Sequence, residues 1–281
     1  MSLKIQVYQR QNNTRFVILL RDSLKDIFGS RFLSTQLAVR DIKAQYRQSY
    51  FGMLWAFAPP IMTALVWIVL NKSGTISLTN TGMPYPLYAF TGTLIWSIIV
   101  EAINNPMNST NSAKSILTKI NFPKEALIVS GLFKLLFNSS IKLFLLLFFV
   151  IIYGVAFKWS LMLFPLVILG AIIFGTALGL FITPFGLLYK DIGKFLSYGL
   201  QFVMYATPVV YVIPEKGILK TMMLYNFFTP IISVARDMIT GSPPMFLTYF
   251  FVVILVSVPL LFVGLVFYRL SIPIIVERFS A

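Results

Sequence analysis

The sequence predicts an all-α integral membrane protein with six transmembrane helices, and two observations carry this prediction. Of the 281 residues, 58% are hydrophobic and only 11% are charged, and the mean hydropathy is +0.83. A water-solvated surface of ordinary charge density does not allow such a composition. Apolar runs long enough to cross about 30 Å of hydrocarbon also recur along the chain, and helices satisfy their own backbone hydrogen bonds in lipid.

Six predominantly apolar segments account for the spans. The first runs from Phe51 to Leu70, 20 residues without a charged side chain, which at about 1.5 Å per residue covers the hydrocarbon thickness. The other five follow the same criterion, and the third is longer than a bilayer requires. They are Tyr85–Ile103, Ala126–Phe157, Leu161–Tyr189, Phe195–Val212 and Met245–Leu270.

The spans divide the chain into an N-terminal cytoplasmic segment (1–50), a six-span transmembrane domain (51–270) and a cytoplasmic tail (271–281). Before the last span, Ile213–Pro244 is too polar for a full crossing, yet its stretch MLYNFFTPIISVARDMI is too apolar for a free loop. We expect a re-entrant or interfacial pair of short helices on the outer face there. An ordinary extracytoplasmic loop is the alternative.

The charge distribution predicts the orientation. The net charge is +14, and nine of the 23 Lys and Arg residues lie in the first 47 positions. With the N-terminus inside, most of the remaining loop cations also fall on the cytoplasmic side. The positive-inside rule therefore places both termini in the cytoplasm. Since these cations border membrane spans, membrane lipid is an expected partner and nucleic acid is not.

The chain lacks the residues that metal binding, catalysis and nucleotide binding usually require. The chain contains no Cys and no His, so thiolate or imidazole metal sites and the commonest general base are absent. No stretch matches GxxxxGK(S/T), the phosphate-binding loop. We therefore expect no catalytic residue, no metal site and no nucleotide cofactor on this chain. A membrane glycosyltransferase or acyltransferase would need a polar catalytic cluster, and the carboxylates are scattered.

An amphipathic helix is predicted on the membrane surface before the first span. Its apolar positions recur at spacings of three and four, and a cationic face adjoins them. The apolar face is Phe32, Thr35, Val39, Ile42 and Tyr46, and the cationic face is Arg40, Lys43 and Arg47. Leu33 and Leu37 fall off this stripe, which indicates an additional protein contact. A basic juxtamembrane anchor for anionic lipid is the alternative.

Two features are expected inside the spans. Pro59 and Pro60 remove backbone donors, so the first helix should kink there, either beside a pathway or to improve packing. Glu101 and Lys142 lie on consecutive spans, and each charge costs on the order of 2.5 to 3.5 kcal/mol in mid-bilayer. Lys142 is expected to pair with Glu101 as a strut or to face the pathway, whereas Lys134 can snorkel to the inner interface.

The stretch RDIKAQYRQSYFGMLWAFAPP carries a resemblance to a known family. It is similar to a basic surface helix, a "Y(K/R)Q(S/T)xxGxLW" junction and a first-span proline in the permeases of polysaccharide-exporting ABC transporters, which carry O-antigen, capsule or teichoic acid. The matching positions are Arg40, Asp41, Tyr46, Arg47, Gln48, Gly52, Leu54, Trp55 and Pro59.

Three further segments resemble the same family. ILTKINFPKEAL is similar to its loop between the second and third spans, and YKDIG (Tyr189–Gly193) to its "(Y/F)RD(I/L)" turn. Lys190 stands where Arg is more usual, and Lys lacks the bidentate fork of Arg. NFFTPIISVARDMITG resembles an outer-face Asn-Pro-like turn, with extra residues between Asn226 and Pro230.

The resemblance implies the function. Two copies of the permease would pair with two copies of an ABC ATPase, which binds ATP and Mg, to move an undecaprenyl-diphosphate-linked polysaccharide across the bacterial inner membrane. O-antigen is the foremost candidate cargo. The alternatives are capsule or teichoic acid polymers, and an ABC exporter of a small drug or a lipid.

The resemblance also implies a coupling helix at Ser112–Ile120 that docks on the ATPase. We expect an apolar face of Ile116, Leu117 and Ile120, flanked by Lys114 and Lys119 that meet acidic groups. The surface helix, with Arg40, Lys43 and Arg47, would make a second contact. A solvated loop is the alternative for the coupling segment.

The fifth span carries an aromatic stripe suited to a glycan. Aromatic faces accept the C–H groups of a sugar ring without a fixed hydroxyl pattern, which suits a sliding polymer. The stripe is Phe195, Tyr198, Phe202 and Tyr205, and Trp55 beside the prolines is expected to join it. Packing against other helices or lipid is the alternative, since 16% of the residues are aromatic.

Overall fold

The structure, a computed structural model, describes residues 15–47, 55, 58–74 and 82–280, and its secondary structure in these ranges is helical. Eleven α-helices follow one another in these ranges, with a 3₁₀ helix at Trp159–Leu163 before the seventh. They are α1 (Phe16–Gly29), α2 (Arg31–Tyr46), α3 (Ala58–Lys72), α4 (Tyr85–Ser112), α5 (Lys114–Leu117), α6 (Glu125–Ile152), α7 (Phe164–Leu188), α8 (Lys190–Tyr205), α9 (Ile218–Tyr225), α10 (Thr229–Thr240) and α11 (Leu247–Ser280).

Four helical segments in the described part are long and apolar enough to cross a membrane. They are α4, α6, α11 and the 3₁₀–α7 segment, and they match the second, third, sixth and fourth predicted spans. The pair α9 and α10 bends by 83° at a short break, as a broken span or a re-entrant loop would. The all-helical membrane fold is therefore confirmed, with four such spans, or five if the bent pair counts as one.

The predicted fifth span is shorter than expected. Helix α8 ends at Tyr205, and Ala206–Tyr211 follows as turns and bends rather than helix. Pro208 explains the break, because proline has no N–H to donate and disfavours the α conformation of the residue before it. Helix α3 matches the second half of the first predicted span, whose beginning falls mostly outside the described residues.

Helix α4 lies at the centre of the fold, packed against α3, α6, α7 and α10. Its contact with α7 is a backbone-to-backbone approach. A Cβ atom added to Gly179 would lie 2.2 Å from the Ile103 carbonyl oxygen, and one added to Gly175 would lie 2.6 Å from the Cβ of Ala102. Small residues allow this packing in membranes, where no hydrophobic effect drives helices together.

The chain stays helical beyond the last predicted span. The expected tail after residue 270 is the last part of α11, which continues to Ser280. Tyr268, Ile272 and Ile275 recur at spacings of four and three, and all three are buried in one cluster that also includes Ile27 of α1. Burial of this apolar face against α1 explains why the helix continues.

Helix α2 packs on the protein with a face that lies off the stripe predicted to face the membrane. It contacts α6, and its buried side chains are Ser34, Leu37 and Ala38. Phe32, on the predicted apolar stripe, is 79% exposed, and Val39 is also exposed. Leu37, which fell off that stripe, faces the core, because the small Ser34 and Ala38 beside it let α6 approach closely.

Two short helices, α9 and α10, lie between residues 213 and 244, as expected. The turn between them is built on Asn226, whose Oδ1 accepts a hydrogen bond from the Phe228 N–H (2.9 Å). Its Nδ2 donates to the Ala206 carbonyl (2.9 Å) and to Thr207 Oγ1 (2.8 Å). The Asn226 side chain thus ties the start of α10 to the end of α8.

Candidate transport and coupling sites

An ion pair lies between α4 and α6, where the sequence placed two charges. Lys142 Nζ is 2.8 Å from Glu101 Oε2, and Asn138 Nδ2 donates to Glu101 Oε1 (2.6 Å). Asn138 and Lys142 are four residues apart on α6, so both point to α4. The Lys142 side chain is 7% exposed and that of Glu101 is 29% exposed. Lys134 is not part of this described cluster, and it is partly exposed.

The predicted aromatic stripe forms one open face of α8. Phe195, Tyr198, Phe202 and Tyr205 are each at least half exposed. Because they stand at helical spacings of three and four, the four rings line a continuous surface. These four rings are therefore available to a partner outside the described part of the chain.

The first-span residues are described only in part. Trp55 is exposed, and Pro59 lies in the first turn of α3 and is exposed. The Pro60 side chain and residues 56–57 lie outside the described part of the chain, so the predicted kink does too. Tyr189 is the residue before α8, and the Lys190 side chain of the YKDIG turn is likewise outside the description.

Leu117, an apolar residue of the predicted coupling segment, anchors this segment to the rest of the chain. Leu117 is buried in a cluster with Leu37 of α2 and Phe122. This corrects the expected apolar face, because Leu117 is used inside the chain and Ile116 is only partly exposed. Ile120, Lys114 and Lys119 remain exposed. The helix itself is short, Lys114–Leu117.

The surface helix and the coupling segment form one unit through the Leu37–Leu117 cluster. Arg40, Lys43 and Arg47 are exposed on α2, and Arg40 makes a salt bridge to the neighbouring Asp41 (2.7 Å). Leu127 of α6 belongs to the same cluster, so both elements are packed on that helix.

Lys124 holds the loop before α6 together through its side-chain contacts. Its Nζ donates to Asn121 Oδ1 (3.1 Å) and to the Phe122 carbonyl (2.9 Å), and lies 5.1 Å from the Phe122 ring centre. Burial lowers the pKa of Lys124 from its usual value, and the carboxylate of Glu125 opposes this shift. These contacts fix the Asn-Phe-Pro turn that follows the coupling segment.

A second charge cluster, which sequence reasoning missed, joins three helices at the predicted cytoplasmic end. Arg269 of α11 makes salt bridges to Asp26 of α1 (2.7 Å) and to Glu125 of α6. Ser23 Oγ donates to Glu125 Oε1 (2.9 Å). Glu125 is almost fully buried, so the guanidinium neutralises a carboxylate that water does not reach.

A groove of about 660 Å³ opens beside this cluster. One wall is the segment from Leu117 to Lys124, and the other is α11 from Leu270 to Glu277. Asp26, Glu125 and Arg269 also line it.

At the opposite end of the fold, Arg236 of α10 is buried, within the segment for which the sequence predicted short outer-face helices. Its guanidinium donates to the carbonyls of Pro208 (2.6 Å), Val209 and Tyr88 (3.3 Å), and lies 3.5 Å from the centre of the Tyr88 ring. Its position within a moderately apolar segment gave no signal of burial. Arg236 thus fixes the segment after α8 to α4.

Three curated proteins are similar to the chain. "O-antigen export system permease protein RfbA" of Myxococcus xanthus is 29% identical over 188 residues, covering 67% of this chain and 71% of the relative. Over most of its length, the chain is similar to O-antigen export permeases. Two proteins of the same name from Klebsiella pneumoniae are 25% and 24% identical, covering 69% and 77% of this chain and 76% and 84% of the relatives.

These similarities confirm the resemblance to polysaccharide-exporter permeases that the sequence motifs predicted. They do not depend on one short motif, because the alignments cover 188 to 227 residues. No protein-family model matches the chain.

Proposed function

We propose that this chain is the transmembrane permease subunit of an ATP-driven exporter that moves undecaprenyl-diphosphate-linked O-antigen across the bacterial inner membrane. The observation that carries the proposal is the similarity to three O-antigen export permeases across two thirds or more of the chain. All three carry the same cargo in their names, which favours O-antigen over capsule, teichoic acid, a small drug or a lipid.

The proposed topology has six crossings with both termini in the cytoplasm. Helices α4, α6, α7 and α11 supply four, and α3 and α8 supply the other two, while α9 and α10 form a re-entrant pair on the outer face. The cations of the N-terminal segment and of the segment between α4 and α6 support this orientation. Helices α1 and α2 lie at the inner surface, with exposed Phe32 and Val39 toward lipid or a partner.

In this proposal the open aromatic face of α8 lines the glycan path. Two copies of the chain place their α8 faces toward a shared passage, with Trp55 of the first span near it. The rings of Phe195, Tyr198, Phe202 and Tyr205 contact sugar C–H groups and leave the hydroxyls to water. Because none of these contacts demands a fixed hydroxyl pattern, a long polymer can slide along them.

The Glu101–Lys142 pair acts as a strut between α4 and α6 rather than as part of the path. The support is its geometry, since both oxygens of the Glu101 carboxylate are occupied by α6 donors. The Lys142 side chain is also only 7% exposed, so a passing pyrophosphate has little access to its ammonium.

A separate ATPase subunit supplies the energy for transport. Two copies of an ABC ATPase bind ATP and Mg, and this chain contributes no catalytic residue and no cofactor. Contact is made by the exposed residues of the coupling segment and of α2: Lys114, Lys119, Ile120, Arg40, Lys43 and Arg47. Leu117 and Ile116 hold the segment on α2 and α6, so movement of the ATPase reaches the spans.

A gene deletion tests the function. Cells that lack the chain should accumulate lipid-linked O-antigen in the cytoplasm and lose it from the surface, and the intact gene should restore export. Antibody against the glycan, applied to intact cells and to permeabilised cells, separates the surface pool from the internal pool. Normal surface glycan in the deletion strain would contradict the proposal, and accumulation of a different lipid-linked polymer would correct the cargo.

A further inference from the structure

The last turns of α11 extend beyond the stretch that lipid can cover. From Leu247 to Tyr268 the helix has no charged residue, and these 22 residues span about 33 Å, the thickness of the hydrocarbon core. Charged residues then appear at Arg269, Glu277 and Arg278. The end of α11 after Arg269 therefore lies at the aqueous edge, level with the basic coupling segment that it contacts.

Apolar side chains are nevertheless exposed at this edge. Leu270 and Ile274 of α11 are 48% and 56% exposed, and Ile120 of the coupling segment is 59% exposed. All three line the groove of about 660 Å³. Apolar surface outside the hydrocarbon costs roughly 25 cal/mol per Å² while water covers it. This groove is thus a surface that gains free energy when a partner fills it.

We infer that this groove, and not the coupling segment alone, receives the ATPase, with the C-terminal turns of α11 as its second wall. The occupant is an apolar side chain of the soluble ATPase that enters between Ile120 and Ile274. This inference rests on the proposed function, and it adds α11 to the contact.

The chemistry of the groove favours a protein over a lipid tail. Its walls are apolar, but the polar side chains of Asp26, Glu125 and Arg269 also line it. An acyl chain gains nothing from such groups, whereas a protein surface presents apolar and polar groups together. The exposed Lys119 on the rim matches an acidic residue beside the entering side chain.

The groove also provides a mechanical connection. Arg269, which lines it, is bonded to α1 and α6, and the wall formed by Leu117 is packed on α2. A side chain that enters or leaves the groove acts on both walls at once. Nucleotide-driven movement of the ATPase is therefore transmitted to α6 and α11 together.

Site-specific photocrosslinking tests the inference. Benzoylphenylalanine is placed at Ile274, at Ile120 and, as a matched control, at Leu255, which is exposed on α11 within its uncharged stretch. The full chain is expressed with the tagged ATPase of the same export system, and membranes are irradiated. Positions 274 and 120 should both form adducts with the ATPase, and position 255 should not.

A substitution gives an independent reading. Ile274→Ala removes apolar surface that the ATPase would bury, so ATPase retention on the purified permease should fall about tenfold. Leu255→Ala should leave retention unchanged. Since Ile274 is largely exposed, the variant is expected to fold, and its chromatographic profile checks this.

The outcomes separate the two proposals. ATPase adducts at Ile120 but not at Ile274 overturn the two-walled groove and leave the proposed function intact. Adducts at Ile274 with lipid or with a second copy of the chain also overturn it. If no position captures the ATPase and none co-purifies with the chain, the proposed function fails together with the inference.

Discussion

Glu101→Gln should destabilise the folded permease more than Lys142→Gln, although both substitutions break the same ion pair. The asymmetry comes from burial, because the Lys142 side chain is 7% exposed and that of Glu101 is 29% exposed. Losing the carboxylate leaves a buried ammonium without its counter-charge, which costs about 3–5 kcal/mol. Losing the ammonium leaves a carboxylate that water partly reaches.

The remaining carboxylate also keeps one donor. Asn138 Nδ2, 2.6 Å from Glu101 Oε1, still bonds to it in Lys142→Gln. We therefore expect that variant to lose about 1–3 kcal/mol. The double variant places two neutral amides in the site and should lose less than Glu101→Gln alone, because no charge is left buried.

The assay is unfolding in mixed micelles, titrated with dodecyl sulfate and followed by tryptophan fluorescence. Ser140→Ala, an exposed change on the same helix, is the control and should change the free energy of unfolding by less than about 0.5 kcal/mol. An equal or larger loss for Lys142→Gln, or losses that add in the double variant, would refute the reasoning. Normal stability with lost export would instead place Lys142 in the path.

Two further predictions follow from the path and from the outer end of the fold. Tyr198→Ala combined with Tyr205→Ala should reduce glycan export severalfold while complex assembly and basal ATP hydrolysis persist. Phe251→Ala, which changes another exposed aromatic residue, should not reduce export. Unchanged export in the double variant would exclude the stripe from transport. Gly92→Ala should lower the yield of folded protein, since the added Cβ would lie 1.8 Å from the Val209 carbonyl oxygen. The Cβ added by Gly199→Ala has no atom within 4 Å, so this variant should be tolerated or stabilised by up to about 1 kcal/mol. Size-exclusion profiles of the two glycine variants compare them directly, and equal profiles would contradict the close approach.

Features set by local sequence were predictable. The long apolar runs predicted the four segments that are long and apolar enough to cross a membrane, and the spacing of Phe195, Tyr198 and Phe202 predicted that these rings share one face of α8. The pairing of Glu101 with Lys142 followed from the high cost of an isolated charge in lipid, which leaves few arrangements.

Features set by tertiary packing were not predictable. Leu37 and Leu117 meet in space 80 residues apart, and no periodicity on either segment indicates that contact. The same holds for Arg269, whose partners lie on α1 and α6. A charge near a span end looks the same in sequence whether it faces water or a buried carboxylate.

The glycine contacts of α7 determine where the protein can change shape. Backbones that touch through Gly175 and Gly179 have no side-chain layer between them that could repack. We therefore expect helices α4 and α7 to move together. In the proposed assembly of two copies, a passage for a bulky polymer would therefore widen between the copies or beside the peripheral helices, and not between α4 and α7.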